Sequence, residues 1–314
     1  MVSNKAEIEV LEAGPHVTLQ DAGRPGLMRF GVPNSGPMDR KALTIANTAL
    51  GNPAGQSGIE VSPAGLRLRL TRGTLTLAIA GGGFAVSRNG QALRAWQVVT
   101  LQQGDELTLR PGPWGSWCCL AVAGQLEADT WLGATATHGL SGLGGGALRA
   151  GQSLTVNECR TLPERPIPCP VFCRPRRRLN VILGPQDALF SDGTVARFLS
   201  QTFRLTAAFD RMGQRLAGPN IAPEAALGIP SQGLTRGAVQ VSGDGIASIL
   251  MADHQTTGGY PKIATVLLDD TDGLAQLRPG DAISFTAITP AKAVQLARQR
   301  ARAFQCYLAQ LASH

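Results

Sequence analysis

Residues 66–79 read Leu66-Arg67-Leu68-Arg69-Leu70-Thr71-Arg72-Gly73-Thr74-Leu75-Thr76-Leu77-Ala78-Ile79. Leucine alternates with polar residues on both sides of a central Arg-Gly pair. Successive side chains of a β-strand point to opposite faces, so this alternation places the leucines on one face and the polar groups on the other. The stretch therefore predicts a β-hairpin with one buried face, and it favours sheet over helix.

The rest of the chain is divided into short segments by 38 glycines and 20 prolines, as β-barrels and β-sandwiches require. A weak repeat, in which a turn leads into a strand, occurs at residues 101–109, 148–156 and 277–285. This repeat is consistent with two related lobes. Similar turns also precede strands in unrelated all-β proteins, so duplication and coincidence both stay open.

A length of 314 residues with 43% hydrophobic content suits about two domains. The expected parts are an N-terminal β lobe (1–157), a Pro/Arg-rich linker (158–178), a second β lobe (179–289) and a terminal helix (290–314). We also expect short helices at 40–50, capped by Asp39, and around 193–199. The predicted fold class is thus mainly β, with a few short helices and a C-terminal helix.

The net charge of +7 is confined to two basic segments. Seven arginines account for the whole excess: Arg174, Arg176, Arg177, Arg178, Arg298, Arg300 and Arg302. The remaining chain is formally neutral, and aromatic residues make up only 5%. A broad basic face and a stacking surface are therefore both missing, so the composition argues against a nucleic-acid partner.

Targeting and metal signals are also weak. No run of about 18 uncharged apolar residues occurs, and the first residues lack the apolar core of a signal peptide. We therefore expect no membrane partner and a cytoplasmic location. The six cysteines should stay reduced there, and without a Cys-x-x-Cys knuckle they indicate no metal site.

Residues 252–261 form the strongest candidate for a ligand-binding loop. Its polar side chains are Asp253, His254, Gln255, Thr256, Thr257 and Tyr260. His254 could act as a general base, because an unperturbed imidazole has a pKa of about 6.5, or it could only position a ligand. Tyr260-Pro261 is a candidate for a cis turn. The alternative is a tight hairpin whose Asp and Thr side chains only satisfy turn amides.

Two further clusters combine carboxylates with guanidinium groups. Asp210, Arg211 and Arg215 could bind a carboxylate or phosphate, because guanidinium is planar and always charged, or they could form an ion pair within their own loop. The same two interpretations apply to Asp21 and Arg24, in a segment rich in glycine and proline.

Several catalytic signatures do not occur in the sequence. Neither the phosphate-binding Gly-x-x-x-x-Gly-Lys-Ser/Thr loop nor a dinucleotide fingerprint in a strand-to-helix context is present. The Gly-x-Ser-x-Gly elbow and the His-Glu-x-x-His zinc helix are also missing. There is no Met-Lys-Met tripeptide of the kind that carries biotin, so we expect no covalently bound cofactor.

In their order along the chain, the polar clusters resemble the family of the 5-oxoprolinase C subunit, also called KipA-like proteins or allophanate hydrolase subunit 2. The matching segments are Gln20-Asp21-x-Gly23-Arg24-x-Gly26, Gly31-Val32-Pro33-x-Ser35-Gly36-x-Met38-Asp39 with Ala46-Asn47, Leu120-Ala121-Val122-Ala123-Gly124, Gly184-Pro185-Gln186, Asp210-Arg211-Met212-Gly213-x-Arg215-Leu216, Ala252-Asp253-x-Gln255-Thr256-Thr257-Gly258-Gly259-Tyr260-Pro261 and Gln276-Leu277-x-Pro279-Gly280-Asp281. The resemblance covers most of the chain. It departs at 116–119 and at 134–138, where an arginine and an acid usual in the family are missing.

The resemblance implies two β-barrel-like lobes of cyclophilin-like type. It implies a KipI-like protein, the B subunit, as partner. Together with an A subunit, the assembly would carry out ATP-dependent hydrolysis of a small amide or lactam, 5-oxoproline, to glutamate. Two alternatives belong to the same family: a carboxyltransferase component of a biotin-dependent urea or amide carboxylase, and a non-catalytic regulator that binds a KipI-like kinase inhibitor.

The resemblance carries the candidate site over to motif positions, which are Asp21, Arg24, Asp39, Asn47, Asp210, Arg211, Arg215, Asp253, Gln255, Thr256 and Tyr260. The polar loop itself adds His254 and Thr257. We take Asp253, His254 and Tyr260 as the candidates for catalysis and the remaining residues as candidates for substrate binding. The comparison shifts weight from His254 as a lone catalyst toward Asp253 and Tyr260 acting with neighbouring polar groups.

Overall fold

The computed structural model describes residues 4–224 and 229–313, which form two compact units. Unit 1 takes the described residues of Met1–Arg24, Ser35–Arg174 and Gln305–His314, and unit 2 takes those of Pro25–Asn34 and Pro175–Phe304. The domain boundaries drawn from the sequence, including the linker over 158–178, stay predictions.

Unit 1 contains two antiparallel sheets. Its strands are β1 (Ala6–Ala13), β2 (Thr18–Gln20), β3 (Gly58–Val61), β4 (Leu66–Arg72), β5 (Thr74–Ala80), β6 (Gly83–Arg88), β7 (Gln91–Leu93), β8 (Gln97–Gln102), β9 (Glu106–Trp114), β10 (Cys118–Val122), β11 (Gln125–Leu126), β12 (Ser153–Asn157) and β13 (Arg165–Pro166). One sheet has the order β11-β12-β1-β4-β9-β6-β7, and the other has the order β13-β8-β5-β10-β3-β2.

The stretch 66–79 does form two strands, but the predicted hairpin is wrong. β4 pairs with β1 and β9 in one sheet, whereas β5 pairs with β8 and β10 in the other. The chain passes between the sheets at Gly73, whose φ of 85° lies in the left-handed region. Leucines of both strands enter one core cluster shared by the two sheets, so alternation identified the buried face correctly but could not name the pairing partner.

The polar face of β4 is neutralised by a neighbouring strand. Arg67 and Arg69 both bind Glu106 of β9, with closest N···O distances of 2.7 and 2.5 Å. The two guanidinium groups lower the pKa of Glu106 below its ordinary value. These half-exposed ion pairs contribute little to stability individually, but they favour this strand order over one that brings the arginines together.

Helix α1 (Arg40–Ala49) covers one face of the second sheet of unit 1. Asp39 caps it as predicted, accepting a hydrogen bond of 3.0 Å from the backbone N–H of Ala42. Ala42 and Leu43 pack against Cys119 of β10. Because α1 lies on this sheet, β5 and β10 are buried on both faces.

Unit 2 is organised around a closed barrel of order β14-β21-β18-β19-β16-β15-β22. Its strands are β14 (Arg178–Leu183), β15 (Phe203–Phe209), β16 (Gly213–Ala217), β17 (Gln232–Gly233), β18 (Ala238–Val241), β19 (Ala247–Leu250), β20 (Thr257–Gly258), β21 (Lys262–Val266) and β22 (Ala282–Ala287). Strands β14 and β22 pair in parallel, and β17 and β20 form a separate two-stranded ribbon. The expected mainly β architecture is confirmed, and the barrel closes in unit 2.

Three further α-helices occur in the described residues: α2 (Asp192–Ser200), α3 (Leu268–Ala275) and α4 (Pro290–Ala312). The predicted helices at 193–199 and at the C-terminal end are confirmed, with Ser191 capping α2. Helix α3 was not predicted from the sequence. Among the described helices, none has both the length and the apolar character needed to cross a membrane.

Three phenylalanines pack together in the barrel of unit 2. The ring of Phe198, on α2, lies 4.3 Å from that of Phe285 and 6.0 Å from that of Phe203. All three side chains are buried. The cluster therefore joins α2 to β15 and β22 through apolar and aromatic contact.

We expect Phe198→Ala to lower the free energy of unfolding of unit 2 by about 3–5 kcal/mol, because it leaves a cavity among the other two rings. Hydrogen exchange of the β15 and β22 amides would measure this. Gly193→Ala in the same helix is the control, since a methyl group there meets open space. Equal protection in the two variants would contradict the assigned packing.

Candidate functional site

In unit 1, Asp21 and Arg24 hold the backbone of the loop over 131–137. The Asp21 carboxylate accepts hydrogen bonds from the N–H groups of Thr135 (2.7 Å) and Ala136 (3.2 Å). The buried Arg24 guanidinium donates to the carbonyls of Trp131 (2.7 Å), Ala134 (3.1 Å) and Ala136, and it lies over the Trp131 ring. Because the contacts use backbone atoms, the unusual side chains at 134–138 leave this arrangement intact.

Asp39 and Asn47 occupy the two ends of α1. Asp39 is its N-terminal cap, and Asn47 donates to the carbonyl of Gln56 at 2.8 Å while its side-chain oxygen accepts from Asn52 at 3.0 Å. Asn52 in turn donates to the carbonyl of Val122 in β10. Both predicted residues therefore stabilise the helix and the loop that follows it.

In unit 2, Arg211 and Asp253 form a buried, two-pronged ion pair. Arg211 Nε lies 2.9 Å from Asp253 Oδ2, and Nη2 lies 3.0 Å from Oδ1. The side chains are only 2% and 1% exposed. The backbone N–H of Asp253 also donates to the carbonyl of Arg211 at 2.7 Å. The pair thus connects the turn after β15 to the start of the candidate loop. Arg211 therefore does not form the ion pair within residues 210–215 that was one of the two interpretations of the sequence.

The other two members of that cluster lie nearer the surface. The Asp210 carboxylate accepts from the N–H groups of Met212 (2.8 Å) and Gly213 (3.1 Å), as a turn-stabilising Asp does. Arg215 is half-exposed and lies 3.6 Å from Asp244. Hydrogen bonds from Ser242 and from the backbone of Ile246 keep the pKa of Asp244 below its ordinary value.

His254 is almost fully buried in the structure. Its Nδ1–H donates to the carbonyl of Gln255 at 2.7 Å, so the neutral imidazole carries its lone pair on Nε2. Burial is the main cause that lowers the pKa of His254, and the positive charge of Arg236 adds to it. The imidazole is therefore held neutral at physiological pH, which suits an acceptor or a positioning group.

Gln255 and Tyr260 line a cavity of about 380 Å³ in unit 2, together with Arg215, Gln240 and Asp244. Gln255 Nε2 lies 3.5 Å from Gln240 Oε1, and Tyr260 is 55% exposed. Amide, hydroxyl, carboxylate and guanidinium groups therefore face one space. Such a lining can hold a small polar molecule through both donors and acceptors.

Thr256 and Thr257 lie between those two residues in the candidate loop. The carbonyl of Thr256 accepts from the N–H of Leu234 at 2.9 Å, and Thr257 lies in β20, paired with Gly233 of β17. Their backbones therefore shape the loop. The Tyr260-Pro261 bond is trans, so the candidate cis turn is wrong. Within the described residues the cis peptide bond is Gly184-Pro185.

Gln232, Gln240 and Lys262 are not among the site residues predicted from the sequence. Gln240 and Lys262 are polar, yet both are buried on strands of the barrel, where apolar side chains are expected. A polar residue inside a predicted buried strand is the one signal that could have identified them. Among the described residues, no group of three or more His, Cys, Asp or Glu side chains could hold a metal ion.

Residues 30–287 match the sequence profile of a family described as carboxyltransferase domain, subdomain A and B. A Haemophilus influenzae protein, named as the C subunit of 5-oxoprolinase, is 31% identical, over 93% of this chain and 94% of its own length. The Escherichia coli protein of the same name is 29% identical, over 95% of this chain and 96% of its own length.

A solved structure of the K. lactis urea amidolyase has a TM-score of 0.85 at 24% identity, covering 98% of this chain and 20% of that one. This likeness concerns the fold. The chain thus spans about one fifth of that larger protein and nearly the whole of the two bacterial proteins.

We expect Arg211→Met to lower the free energy of unfolding of unit 2 by about 3–5 kcal/mol, because the Asp253 carboxylate stays buried without its guanidinium partner. Urea denaturation followed by circular dichroism would measure the loss. Arg215→Met is the control, since its exposed ion pair is worth about 0–1 kcal/mol. The double variant Arg211→Met/Asp253→Leu should recover at least half the loss, because it leaves no buried charge unpaired. Equal losses of stability in Arg211→Met and Arg215→Met would refute this assignment.

We expect the stability of unit 2 to fall as the pH drops below about 6.5, because the unfolded imidazole of His254 binds a proton that the buried one resists. The lowered pKa of His254 sets this sign: the stability is present above the unfolded pKa and is lost below it. His254→Gln should show a shallower dependence between pH 7 and 5 in urea denaturation. The control His16→Gln replaces an exposed histidine and should show the same pH dependence of stability as the wild type. If His254→Gln also showed the pH dependence of the wild type, this account would be contradicted.

Proposed function

The chain belongs to the family of carboxyltransferase domains with subdomains A and B, and from that membership we propose that it is the C subunit of an ATP-dependent 5-oxoprolinase complex. The observation that carries the proposal is the match to two proteins named as 5-oxoprolinase C subunits, over nearly the full length of both partners. In this proposal the chain works in the cytoplasm with a KipI-like B subunit and an A subunit, and together they convert 5-oxoproline to glutamate.

The cavity beside the candidate loop supports a lactam as substrate. A lactam has one N–H donor and one carbonyl acceptor, and the Gln240 and Gln255 side chains can each offer the complementary group. The cavity lies open beside Tyr260, whose exposed ring is available to a partner protein. The chain has no phosphate-binding loop and no covalently bound cofactor in this proposal, so ATP is consumed by the complex.

The roles of the loop residues follow from their contacts. Tyr260 and Gln255 line the cavity and are assigned to substrate, whereas Asp253 is engaged with Arg211 and is assigned to positioning the loop. His254 stays neutral and buried, and it fixes the carbonyl of Gln255. The two loop residues assigned to substrate thus act through neutral hydrogen-bonding groups.

A second function, carboxyl transfer in a biotin-dependent carboxylase, is favoured by the family description and by the fold shared with the K. lactis urea amidolyase. Biotin would enter only in this alternative. The near-complete coverage of the two bacterial 5-oxoprolinase proteins favours hydrolysis, because the urea amidolyase holds this region inside a chain about five times as long.

We expect the complex reconstituted from this chain and its two partner proteins to release glutamate from 5-oxoproline only when ATP is added. Gln255→Ala should lower kcat/KM about 3- to 10-fold, the equivalent of one neutral hydrogen bond to the substrate. Gln201→Ala, at an exposed glutamine of unit 2, serves as control and should leave kcat/KM unchanged. Tight assembly without ATP-dependent turnover would overturn the proposal and favour the regulatory alternative.

A further inference from the structure

Lys262 is a buried amine at the start of β21, immediately after the candidate loop. Only 3% of the residue is exposed. Among the described residues, its Nζ finds one hydrogen-bond partner, Gln232 Oε1 at 3.4 Å, and no carboxylate at ion-pair distance. A charged amine in such a place is costly, because burial removes water and no opposite charge replaces it.

The amides around Lys262 have their orientation determined by the backbone. The N–H of Lys262 can only donate, and it donates to Gln186 Oε1 at 2.9 Å. Gln186 Nε2 must then act as donor, and its partner is Gln232 Oε1. Gln232 Oε1 therefore accepts from both Gln186 Nε2 and Lys262 Nζ.

Most of the remaining hydrogen-bonding capacity of this cluster consists of donors, with one lone pair left on Gln186 Oε1. Gln232 is exposed, and neither of its Nε2 N–H groups donates a hydrogen bond to a described residue; Lys262 Nζ has two protons left beyond its long bond to Gln232. Both groups belong to unit 2. A set made mostly of donors and carrying one positive charge is complementary to an oxyanion and repels a cation.

The cluster adjoins the cavity described above. Gln232 is paired across the β17–β20 ribbon with Gly258. A Cβ placed on Gly258 would meet Gln240 Nε2 at 3.0 Å, so the ribbon passes directly beside a cavity-lining amide. Gln240 is also the register partner of Lys262 between β18 and β21, which brings this cavity-lining residue next to the amine-bearing one.

We propose that Lys262 Nζ and Gln232 Nε2 bind the carboxylate of a small-molecule acid, with Gln186 holding Gln232 in place. The identity of that acid as 5-oxoproline, whose ring carries a carboxylate beside the lactam, rests on the proposed function. The carboxylate site itself rests on the geometry of the three side chains.

The protonation behaviour of Lys262 agrees with this assignment. Burial lowers the pKa of the Lys262 amine below its ordinary value. A bound carboxylate favours the charged form, so ligand binding should raise that pKa and draw a proton onto the amine. The site therefore predicts a response that an amine held only by amides for structural reasons would not show.

The test follows Lys262 in the full-length chain, alone and with its KipI-like partner, by NMR of isotope-labelled lysine side chains. The probes are acetate, 5-oxoproline and 2-pyrrolidone, which has the same lactam ring without the acid, with sodium chloride to match ionic strength. We expect acetate and 5-oxoproline, but not 2-pyrrolidone or chloride, to raise the pKa of Lys262. No response to either acid in either sample would overturn the proposal.

Two variants address the same site without relying on turnover. Lys262→Met should weaken binding of 5-oxoproline at least tenfold in calorimetry, while the fold is kept, since no buried carboxylate loses a partner. Gln232→Glu places a carboxylate beside Nζ and should also abolish acetate binding. The control Lys292→Met removes an exposed amine of α4 and should bind as the wild type does. Unchanged binding in both site variants would refute the assignment.

The outcomes separate this site from the function of the complex. If acetate and 5-oxoproline bind at Lys262 but no ATP-dependent glutamate release occurs, the carboxylate site stands and the 5-oxoprolinase proposal fails. If turnover occurs and Lys262→Met leaves KM for 5-oxoproline unchanged, the site fails and the function stands.

Discussion

The buried Arg211–Asp253 ion pair determines where the candidate loop of unit 2 lies. Its two parallel N–H···O bonds join the turn after β15 to the segment after β19, and both side chains are almost inaccessible to water. Breaking such a pair is strongly destabilising, because it leaves one buried charge without its partner. The residues from His254 to Tyr260 begin at this anchor, so their access to the cavity depends on it.

Two kinds of buried charge lie in unit 2, and the difference between them is informative. Arg211 is paired with a carboxylate, whereas the Lys262 amine hydrogen-bonds only to the amide oxygen of Gln232 among residues 4–224 and 229–313. The first arrangement stabilises one conformation of the loop. The buried amine of Lys262 lowers stability, and no carboxylate of the described residues offsets that loss. Such destabilising groups occur mostly at functional sites, where a ligand supplies the missing partner.

The strands and helices were largely predictable because their signals are local. Alternation marked β4 and β5, Asp39 marked the start of α1, and the Pro290 segment marked α4. The pairing of the strands could not be predicted in the same way. Alternation indicates which face of a strand is buried, but it does not indicate which strand lies next to it. For the site, the polar loop contains Gln255 and Tyr260, which line the cavity. Gln232 and Gln240 lie in strands that precede the loop, and Lys262 begins the strand that follows it, so none of the three stood out as part of the polar cluster.

Residue types at short spacing were enough to identify the family, the β-rich class and the loop that carries the polar groups. The folded chain was needed to establish that 66–79 spans two sheets, that Arg211 and Asp253 are partners, and that Lys262 meets Gln186 and Gln232. Hydrogen bonds and ion pairs act over a few ångströms, but the groups they join here lie between 30 and 76 positions apart in the chain, so no local pattern could reveal these contacts.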